Sequence, residues 1–436
     1  MKNRGFVFKW LLLCKGVLLQ GLYAISPLQV DVSARGGILI NAETGAVLWE
    51  KNAKELLYPA STTKMITALY AMEKKGEALD EWVVAPADAV VAVSPQVRRA
   101  NYETHPPYRL EFGGTHMGIQ TGEVLSFRTL LYGLMLSSAN DAANVIAQHV
   151  SGNISQFMKE LNQFVRKKGC KNTYLYTPHG LPHPDHKTTA YDMALLAREF
   201  LKNDFLREVA CTGQYVRPQT NKHPQSVLSQ YNALVKPGKF YYPKALGIKT
   251  GYTVDAGYCL VTAAVDGSRR LIVVLLGCEK LEQRYQDAIA LFEKAFNEKK
   301  MVRPLFSKGF DLFSCQVEGG KSPLQAYLDQ DLVLEYYPSE EPLFKTAVAW
   351  EKLSFPISPH QQVATLQVLS SEGILFAKAP LYALKGVEAT WNHQVFLAWQ
   401  KVKKGMWDHV ALVMATLGIV ILAGSCYVSL RSRKKK

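Results

Sequence analysis

Apolar residues recur along this chain with two different periods, and the switches between them mark out its elements. Gly36-Gly-Ile-Leu-Ile-Asn-Ala-Glu-Thr-Gly-Ala-Val-Leu-Trp-Glu50 holds two apolar runs around Glu43-Thr-Gly45, the pattern of a β-hairpin. Behind Pro59, which suits a helix entrance but not its interior, Met65, Ile66, Ala68 and Leu69 return at helical spacing and predict a helix from Ser61 to about Lys75. Phe127 to Val150 shows two helical blocks: Leu130, Leu131, Leu134 and Met135, then Ala142, Ala143, Val145 and Ile146. The polar Ser137-Ser-Ala-Asn-Asp141 lies between them, and polar side chains between buried helices need partners or a cavity. Phe157 to Lys167 and Ala190 to Phe200 predict two more amphipathic helices. Val97 to Gly118, rich in Pro, Gly, Tyr and Arg and without period, predicts a surface loop.

Ala245 to Thr253, Gly257 to Val265 and Arg270 to Gly277 predict three consecutive strands, with Asp266-Gly267 as the hairpin turn between the last two. A helix from about Leu281 to Phe296 closes this region. Helices with an antiparallel sheet give an α+β domain over residues 30–299. From 302 to 388, short runs such as Phe344 to Trp350 and Gln362 to Val368 alternate with Pro and Gly, predicting a separate small all-β domain. Residues 391–409 then carry Val395, Phe396, Leu397, Trp399 and Val402 among lysines, as an amphipathic, interfacial helix would.

Val410 to Leu430 has no charge and is long enough to cross the hydrocarbon layer, predicting a C-terminal transmembrane helix. The tail over residues 431–436 is more densely basic than Lys401-Val-Lys-Lys404, so it is expected in the cytoplasm and everything before Val410 outside. Lys2 and Arg4, followed by an apolar stretch ending near Leu22-Tyr-Ala24, outline a secretory signal over residues 1–24. Lys9 and Lys15 interrupt it, leaving open whether it is cleaved or kept as an apolar segment.

With 436 residues the chain exceeds one ordinary core. Its net charge of +14 raises nucleic-acid binding, but much of the excess sits at the two ends, and no zinc-finger spacing, RNP-like run or basic helix accompanies it. No nucleic-acid partner is expected. Of seven cysteines, Cys14 and Cys426 belong to the terminal segments; the other five form no metal-ligand spacing. Cys259 and Cys278 could approach across a hairpin, yet free buried thiols are the expectation. Thr177-Pro-His-Gly-Leu-Pro-His-Pro-Asp-His186 crowds three histidines and an aspartate, but its prolines and glycine make an irregular loop, so neither a metal nor a cofactor is expected.

The candidate chemistry begins at the entrance of the first helix. Ser61 and Lys64 stand three positions apart and share a face, so the amine can reach the hydroxyl. A helix entrance also offers unsatisfied N–H groups at the positive end of the helix dipole, where an oxyanion would be favoured. On their own the two residues read as an N-cap and a solvated lysine, the commoner meaning of this spacing.

Two further signals follow in order, Ser138-Ala-Asn140 and Lys249-Thr-Gly251. On a helix entrance, a helix interruption and a strand, the three together resemble the motif set of the penicillin-binding proteins and serine β-lactamases. Pro59-Ala-Ser-Thr-Thr-Lys64, Ser138-Ala-Asn-Asp-Ala-Ala143, Pro178-His-Gly-Leu181, Thr189-Ala-Tyr-Asp192, Gly247-Ile-Lys-Thr-Gly-Tyr-Thr253 and Ala256-Gly-Tyr258 narrow the resemblance to the low-molecular-mass, S11-like D-alanyl-D-alanine carboxypeptidases. It extends over the β domain and the C-terminal anchor.

The resemblance implies a penicillin-binding, β-lactamase-like transpeptidase fold, a bacterial membrane location with the catalytic domain outside, and a serine hydrolase acting on the peptidoglycan pentapeptide or its lipid-linked precursor. Ser61 would attack the penultimate D-alanine carbonyl and release the last residue; β-lactams would acylate the same serine. Lys64 would be the base, neutral through burial and the nearby Lys249. Ser138 would relay a proton to the leaving amine, and Asn140 would hold both substrate backbone and Lys64. Lys249 and Thr250 would recognise the terminal carboxylate, and Gly251 would let the substrate lie along the strand. The N–H groups of Ser61 and Tyr252 would form the oxyanion hole, and Arg284 falls where the family places a carboxylate-binding arginine. Three departures accompany the match: Ala139 stands where the family usually has Gly, the 97–118 loop is longer, and the anchor is a full span. A β-lactamase is the nearest alternative, and Glu160-Leu-Asn162 has a superficial likeness to one deacylating glutamate, but it follows Asn140 too closely and lies inside a helix. A membrane-anchored wall-binding scaffold is the other.

Overall fold

The computed structural model describes residues 27–400, except positions 77, 103, 371 and 372, together with 402 and 403. Two compact units divide them, one running to Lys300 and including Tyr337–Glu341, the other formed by Met301–Tyr336 and the residues from Pro342 onward. In the first, β1 (Gly36–Asn41) and β2 (Val47–Lys51) form the expected hairpin, and a 3₁₀ turn, Ala60–Thr62, leads into α1 (Thr63–Lys75). Short pieces follow: β3 (Trp82–Val84), α2 (Ala87–Val90), β4 (Ala92–Val93), α3 (Pro95–Ala100), β5 (Leu110–Glu111) and β6 (Val124–Ser126). Then come α4 (Phe127–Met135), α5 (Asn140–Ser151), α6 (Ile154–Lys167), α7 (Ala190–Leu201) and α8 (Asp204–Cys211), and a hairpin of β7 (Gln214–Arg217) and β8 (Ser226–Ser229). Strands β9 (Ala245–Thr253), β10 (Gly257–Asp266) and β11 (Arg269–Cys278) and helix α9 (Gln283–Phe296) complete the unit.

The main sheet has the order β2-β1-β11-β10-β9, every neighbour antiparallel, so β9 is an edge strand. Both faces are covered, and successive residues divide between them as the pleat requires. Ile38 and Ile40 of β1 and Ile272, Val274 and Leu276 of β11 face the core shared with α1 and α4 to α8. Leu39, Leu271, Val273 and Leu275 face the other core, with Tyr285, Leu291 and Phe292 of α9. Each such aliphatic side chain contributes about 1.5–3 kcal/mol on burial. Capping side chains start five of the helices: Ser94, Ser126, Asn153, Thr189 and Asn203 each accept a backbone N–H from the first turn. Helix α5 has none; its first N–H, that of Asn140, donates instead to the Thr115 carbonyl at 2.8 Å.

The second unit is all β. A five-stranded sheet runs β13 (Leu312–Cys315), β14 (Leu324–Tyr327), β18 (Leu375–Ala383), β17 (Gln362–Ser370), β16 (Phe344–Trp350), beside the pair β12 (Met301–Phe306) and β15 (Leu332–Tyr336). Val363, Leu366, Val368 and Leu381 form its core. Residues 391–400 are helical, with Trp391, Phe396 and Trp399 exposed. The expected signal over 1–24, the span Val410 to Leu430 and the tail 431–436 lie outside the described residues; among those described, no helix is long and apolar enough to cross a membrane.

The pattern misjudged three places. Val97 to Gly118 is not merely a surface loop: the end of α3 and all of β5 lie within it, and Arg98 is fully buried there. That guanidinium enters the interior because Glu111 (2.7 Å) and the carbonyls of Pro107 and Pro182 accept from it. Between Leu201 and Ala245, where periodicity assigned nothing, the chain builds α8 and the β7–β8 hairpin. Finally, Tyr337–Glu341, inside the expected β domain, belongs to the first unit. Arg269 Nε donates to Glu340 at 2.7 Å and Ser339 Oγ to Glu298 at 2.6 Å, which ties the segment down.

Since β11 lies between β1 and β10 and Ile272 is fully buried on it, Ile272→Ala is expected to cost about 2–5 kcal/mol of stability. Urea denaturation of the two proteins measures this; a loss under 1 kcal/mol would place Ile272 outside a packed core.

Candidate active site

The entrance of α1 is bent before it becomes helical. Ala60 takes φ +48°, a left-handed conformation that costs a non-glycine residue about 1–3 kcal/mol. Local bonds hold it there: Thr62 Oγ1 donates to the Pro59 carbonyl at 2.6 Å and Thr63 Oγ1 to that of Ala60 at 2.8 Å. Two glycines press on the turn. A Cβ added to Gly180, itself at φ +88°, would lie 1.9 Å from the Ala60 oxygen. One added to Gly251 of β9 would lie 2.9 Å from the Ser61 nitrogen. Gly251 therefore serves first to bring the edge strand against the Ser61 turn.

Lys64, one residue into α1, is fully buried. Its Nζ lies 2.8 Å from Ser61 Oγ, 2.6 Å from Asn140 Oδ1 and 2.8 Å from the His179 carbonyl oxygen. Burial pushes the amine well below its ordinary pKa, and the Lys249 charge adds to the effect; Asp141 acts the other way. A neutral amine has two N–H bonds and one lone pair. The Asn140 Oδ1 and the His179 carbonyl oxygen can only accept, so they take the two N–H bonds of a neutral amine and leave its lone pair for the Ser61 hydroxyl. That is the geometry of a general base on an alcohol.

The polar break between α4 and α5 supplies the next side chains. Ser138 is buried and sits at φ +56°. Asn140 opens α5, with the backbone of Gly114 beside its amide nitrogen. Asp141, absent from the sequence-derived site, is buried and accepts the N–H groups of Met117 (3.1 Å), Ile119 (2.9 Å) and Ala142 (2.9 Å). It pins the 117–119 segment onto α5.

On β9, Lys249 and Thr250 are buried, Lys249 Nζ donating to the Thr250 carbonyl at 2.9 Å. Burial, and next the Arg284 charge, lower the Lys249 pKa to about 7. Arg284 lies buried at the start of α9 and donates through Nη1 to the carbonyls of Gly251 (3.1 Å) and Cys259 (3.3 Å) and through Nη2 to Tyr285 Oη (2.9 Å). It is thus a prop under β9 as well as a positive charge near Lys249. Tyr252 is half exposed and stacks on Tyr258 at 4.3 Å.

Residues 23–280 match the family described as D-alanyl-D-alanine carboxypeptidase. The chain belongs to that family. It is 30% identical over 354 residues to the D-alanyl-D-alanine carboxypeptidase DacF of Bacillus subtilis, covering 80% of this chain and 85% of that protein. DacD of Escherichia coli is 27% identical, covering 83% and 89%. Among solved structures, penicillin binding protein 6B from Escherichia coli shares the fold with a TM-score of 0.57 at 23% identity, over 81% of this chain and 96% of that one. DacD from Francisella tularensis does so with a TM-score of 0.55 at 23%, over 84% and 96%.

In this carboxypeptidase the histidine-rich loop is built into the framework. His179 Nε2 meets the Tyr108 carbonyl at 3.1 Å while Nδ1 accepts the Leu181 N–H at 3.1 Å; His186 Nε2 meets Thr63 Oγ1 at 3.0 Å while Nδ1 accepts from Tyr176 N at 3.1 Å. His183 stacks on Tyr176 at 3.7 Å. Among the described residues no cluster of three such side chains could hold a metal ion, and Cys170, Cys211, Cys259 and Cys278 are in no disulfide. Glu160 accepts from Tyr70 Oη (2.7 Å), Ser151 Oγ (2.8 Å) and Gln156 Nε2 (2.7 Å), away from Ser61. Sequence reasoning missed the His179 carbonyl, because a backbone oxygen leaves no residue-type signature.

Burial holds His186 neutral, with its pKa lowered to about 3. In the unfolded chain it titrates near 6.5, so the stability is complete above that pH and lost as the pH falls towards 3. Between pH 7 and 5 the carboxypeptidase is expected to lose about 2 kcal/mol more than its His186→Gln variant in urea unfolding. Equal losses in the two proteins would show that His186 protonates freely when folded.

Proposed function

We propose that this D-alanyl-D-alanine carboxypeptidase works through an acyl-enzyme on Ser61, with Lys64 as its base. The observation that carries the reading is the buried Lys64 amine, set 2.8 Å from Ser61 Oγ while its other neighbours can only accept. The substrate is a peptidoglycan pentapeptide lying along the free edge of β9. Its terminal carboxylate meets Lys249 and Thr250 in the positive field of Arg284, and the scissile carbonyl meets the N–H groups of Ser61 and Tyr252. Lys64 takes the Ser61 proton as Oγ attacks the penultimate D-alanine carbonyl; Ser138 passes a proton to the departing amine, and D-alanine leaves. Water then enters, loses its proton to the same base and releases the shortened peptide. A β-lactam presents the same acyl group and carboxylate and acylates the same serine. Asn140 holds both Lys64 and the peptide backbone.

A membrane-crossing Val410 to Leu430 span, the basic cytoplasmic tail and the N-terminal signal complete the proposal: a bacterial membrane protein whose catalytic domain is outside, where lipid-linked precursor and polymer both lie. The charge-free run and its asymmetric flanks support this placement.

Full-length protein in detergent, given a D-Ala-D-Ala peptide and a fluorescent penicillin, tests the chemistry. Release of D-alanine and durable labelling are expected, both lost in Ser61→Ala and reduced at least about 100-fold in Lys64→Ala. Undiminished labelling of Lys64→Ala would remove that residue as base, and rapid turnover of penicillin would indicate a β-lactamase. The pH profile of kcat/KM supplies a further check. Lys64 must be neutral, so activity falls on the acid side; Lys249 must be charged, so it falls as the pH rises through about 7. Lys249→Arg is expected to lose the alkaline limb, and a limb that stays in place would assign it to another group.

A further inference from the structure

The stretch from α3 to Thr115 reaches from Asn140 of α5 to the turn after β9. Its foot is fixed by the buried Arg98, whose Nε donates to Glu111 at 2.7 Å and Nη1 to the Pro182 carbonyl at 3.0 Å. Tyr108 contributes its carbonyl to both His179 Nε2 (3.1 Å) and Asn144 Nδ2 (2.8 Å). The far end rests on α5 through Thr115 and Asn140. Beside Arg98, Arg99 reaches across to Asp255, Nη2 to Oδ2 at 3.2 Å, with side chains 45% and 35% exposed. Asp255 stands in the turn that joins β9 to β10, where Val254 is 87% exposed. The ion pair therefore ties this stretch to the tip of the strand that reads the substrate.

The direction of the peptide follows from the two anchor points on β9, and the inference rests on that reading of Lys249, Thr250 and Tyr252. The terminal carboxylate is at Lys249 and Thr250, and the scissile carbonyl, one residue earlier in the peptide, is at Tyr252. Earlier residues of the substrate then pass Thr253 and approach Asp255. The residue preceding the two D-alanines lies opposite Thr253, and its long side chain extends from there towards the Arg99–Asp255 pair. In a peptidoglycan stem that residue carries the side-chain amine, which is free in a linear stem and acylated in a cross-linked one.

We propose that the Arg99–Asp255 pair closes the upstream end of the groove and selects stems with a free side chain at the third residue from the C-terminus over stems cross-linked through it. A free amine passes beside the pair, whereas an acylated one carries a second peptide into the place the pair occupies. Exposed ion pairs are weak and screened by salt, which sets the size of the effect at about two- to five-fold.

Two peptides ending in Lys-D-Ala-D-Ala test it, one with the lysine amine free and one with that amine acylated by a second peptide. Release of D-alanine by full-length protein in detergent gives kcat/KM for each. The preference for the free form is expected to drop about two- to five-fold in Arg99→Ala and in Asp255→Ala, and to return towards wild type when the charges are exchanged in Arg99→Asp/Asp255→Arg. Raising the salt concentration should lower the preference of the wild type and leave that of Arg99→Ala where it is. No preference in the wild type, an unchanged preference in both single variants, or no recovery on charge exchange overturns the proposal. If Lys249→Ala leaves the KM of the linear peptide unchanged, the reading of the strand fails, and the proposal with it.

Discussion

An amine kept away from water, with acceptors for two of its bonds and a hydroxyl opposite the third position, is what this active site depends on. A charged ammonium in the place of Lys64 would cost several kcal/mol in lost hydration. Burial and the neighbouring Lys249 instead lower its pKa well below the ordinary value, which favours the uncharged amine. Asp141 does not undo this. Its carboxylate oxygens are already occupied by the N–H groups of Met117, Ile119 and Ala142.

Holding that amine in place requires backbone to come unusually close to backbone. The Ser61 turn is squeezed between the loop carrying Gly180 and the edge strand carrying Gly251, and both approaches exclude a side chain. Ala60 and Ser138 adopt left-handed conformations on the same site, and the packed sheet and helices around them keep those conformations in place. Arg284 belongs to the same support. By donating to the Gly251 carbonyl it fixes the edge strand against the Ser61 turn, and its charge acts on Lys249. One guanidinium thus serves position and electrostatics together.

Where periodicity was strong, the elements were legible. The hairpin before Ser61, the helix behind it, the pair of helices around the polar break and the three-strand run from Ala245 all formed near the expected limits, because alternation or 3.6-residue spacing leaves only one way to bury them. Short elements escaped. Helix α3 spans Pro95–Ala100, too few residues to show a period, and β5 has two residues. An arginine in a proline-rich stretch reads as solvated, and only Glu111 and the Pro107 and Pro182 carbonyls make the interior possible for Arg98. The Tyr337–Glu341 segment joins the first unit for a similar reason: Arg269 and Glu298, distant in sequence, decide where it rests.

By itself the chain dictated the residue types that can react, their order and the local element that carries each. Ser61 and Lys64 share a helical face by spacing alone, and Lys249, Thr250 and Gly251 fall on one strand. Only the tertiary structure decided that a histidine carbonyl would meet the lysine amine, that a glycine would bring the edge strand to the serine, and that an arginine would lie beneath that strand. The reason is the range of the forces involved. Periodicity reports which face of an element avoids water, whereas the protonation state of a buried amine is set by groups more than a hundred residues away along the chain but within 3 Å in space, as the Lys64 to His179 contact is.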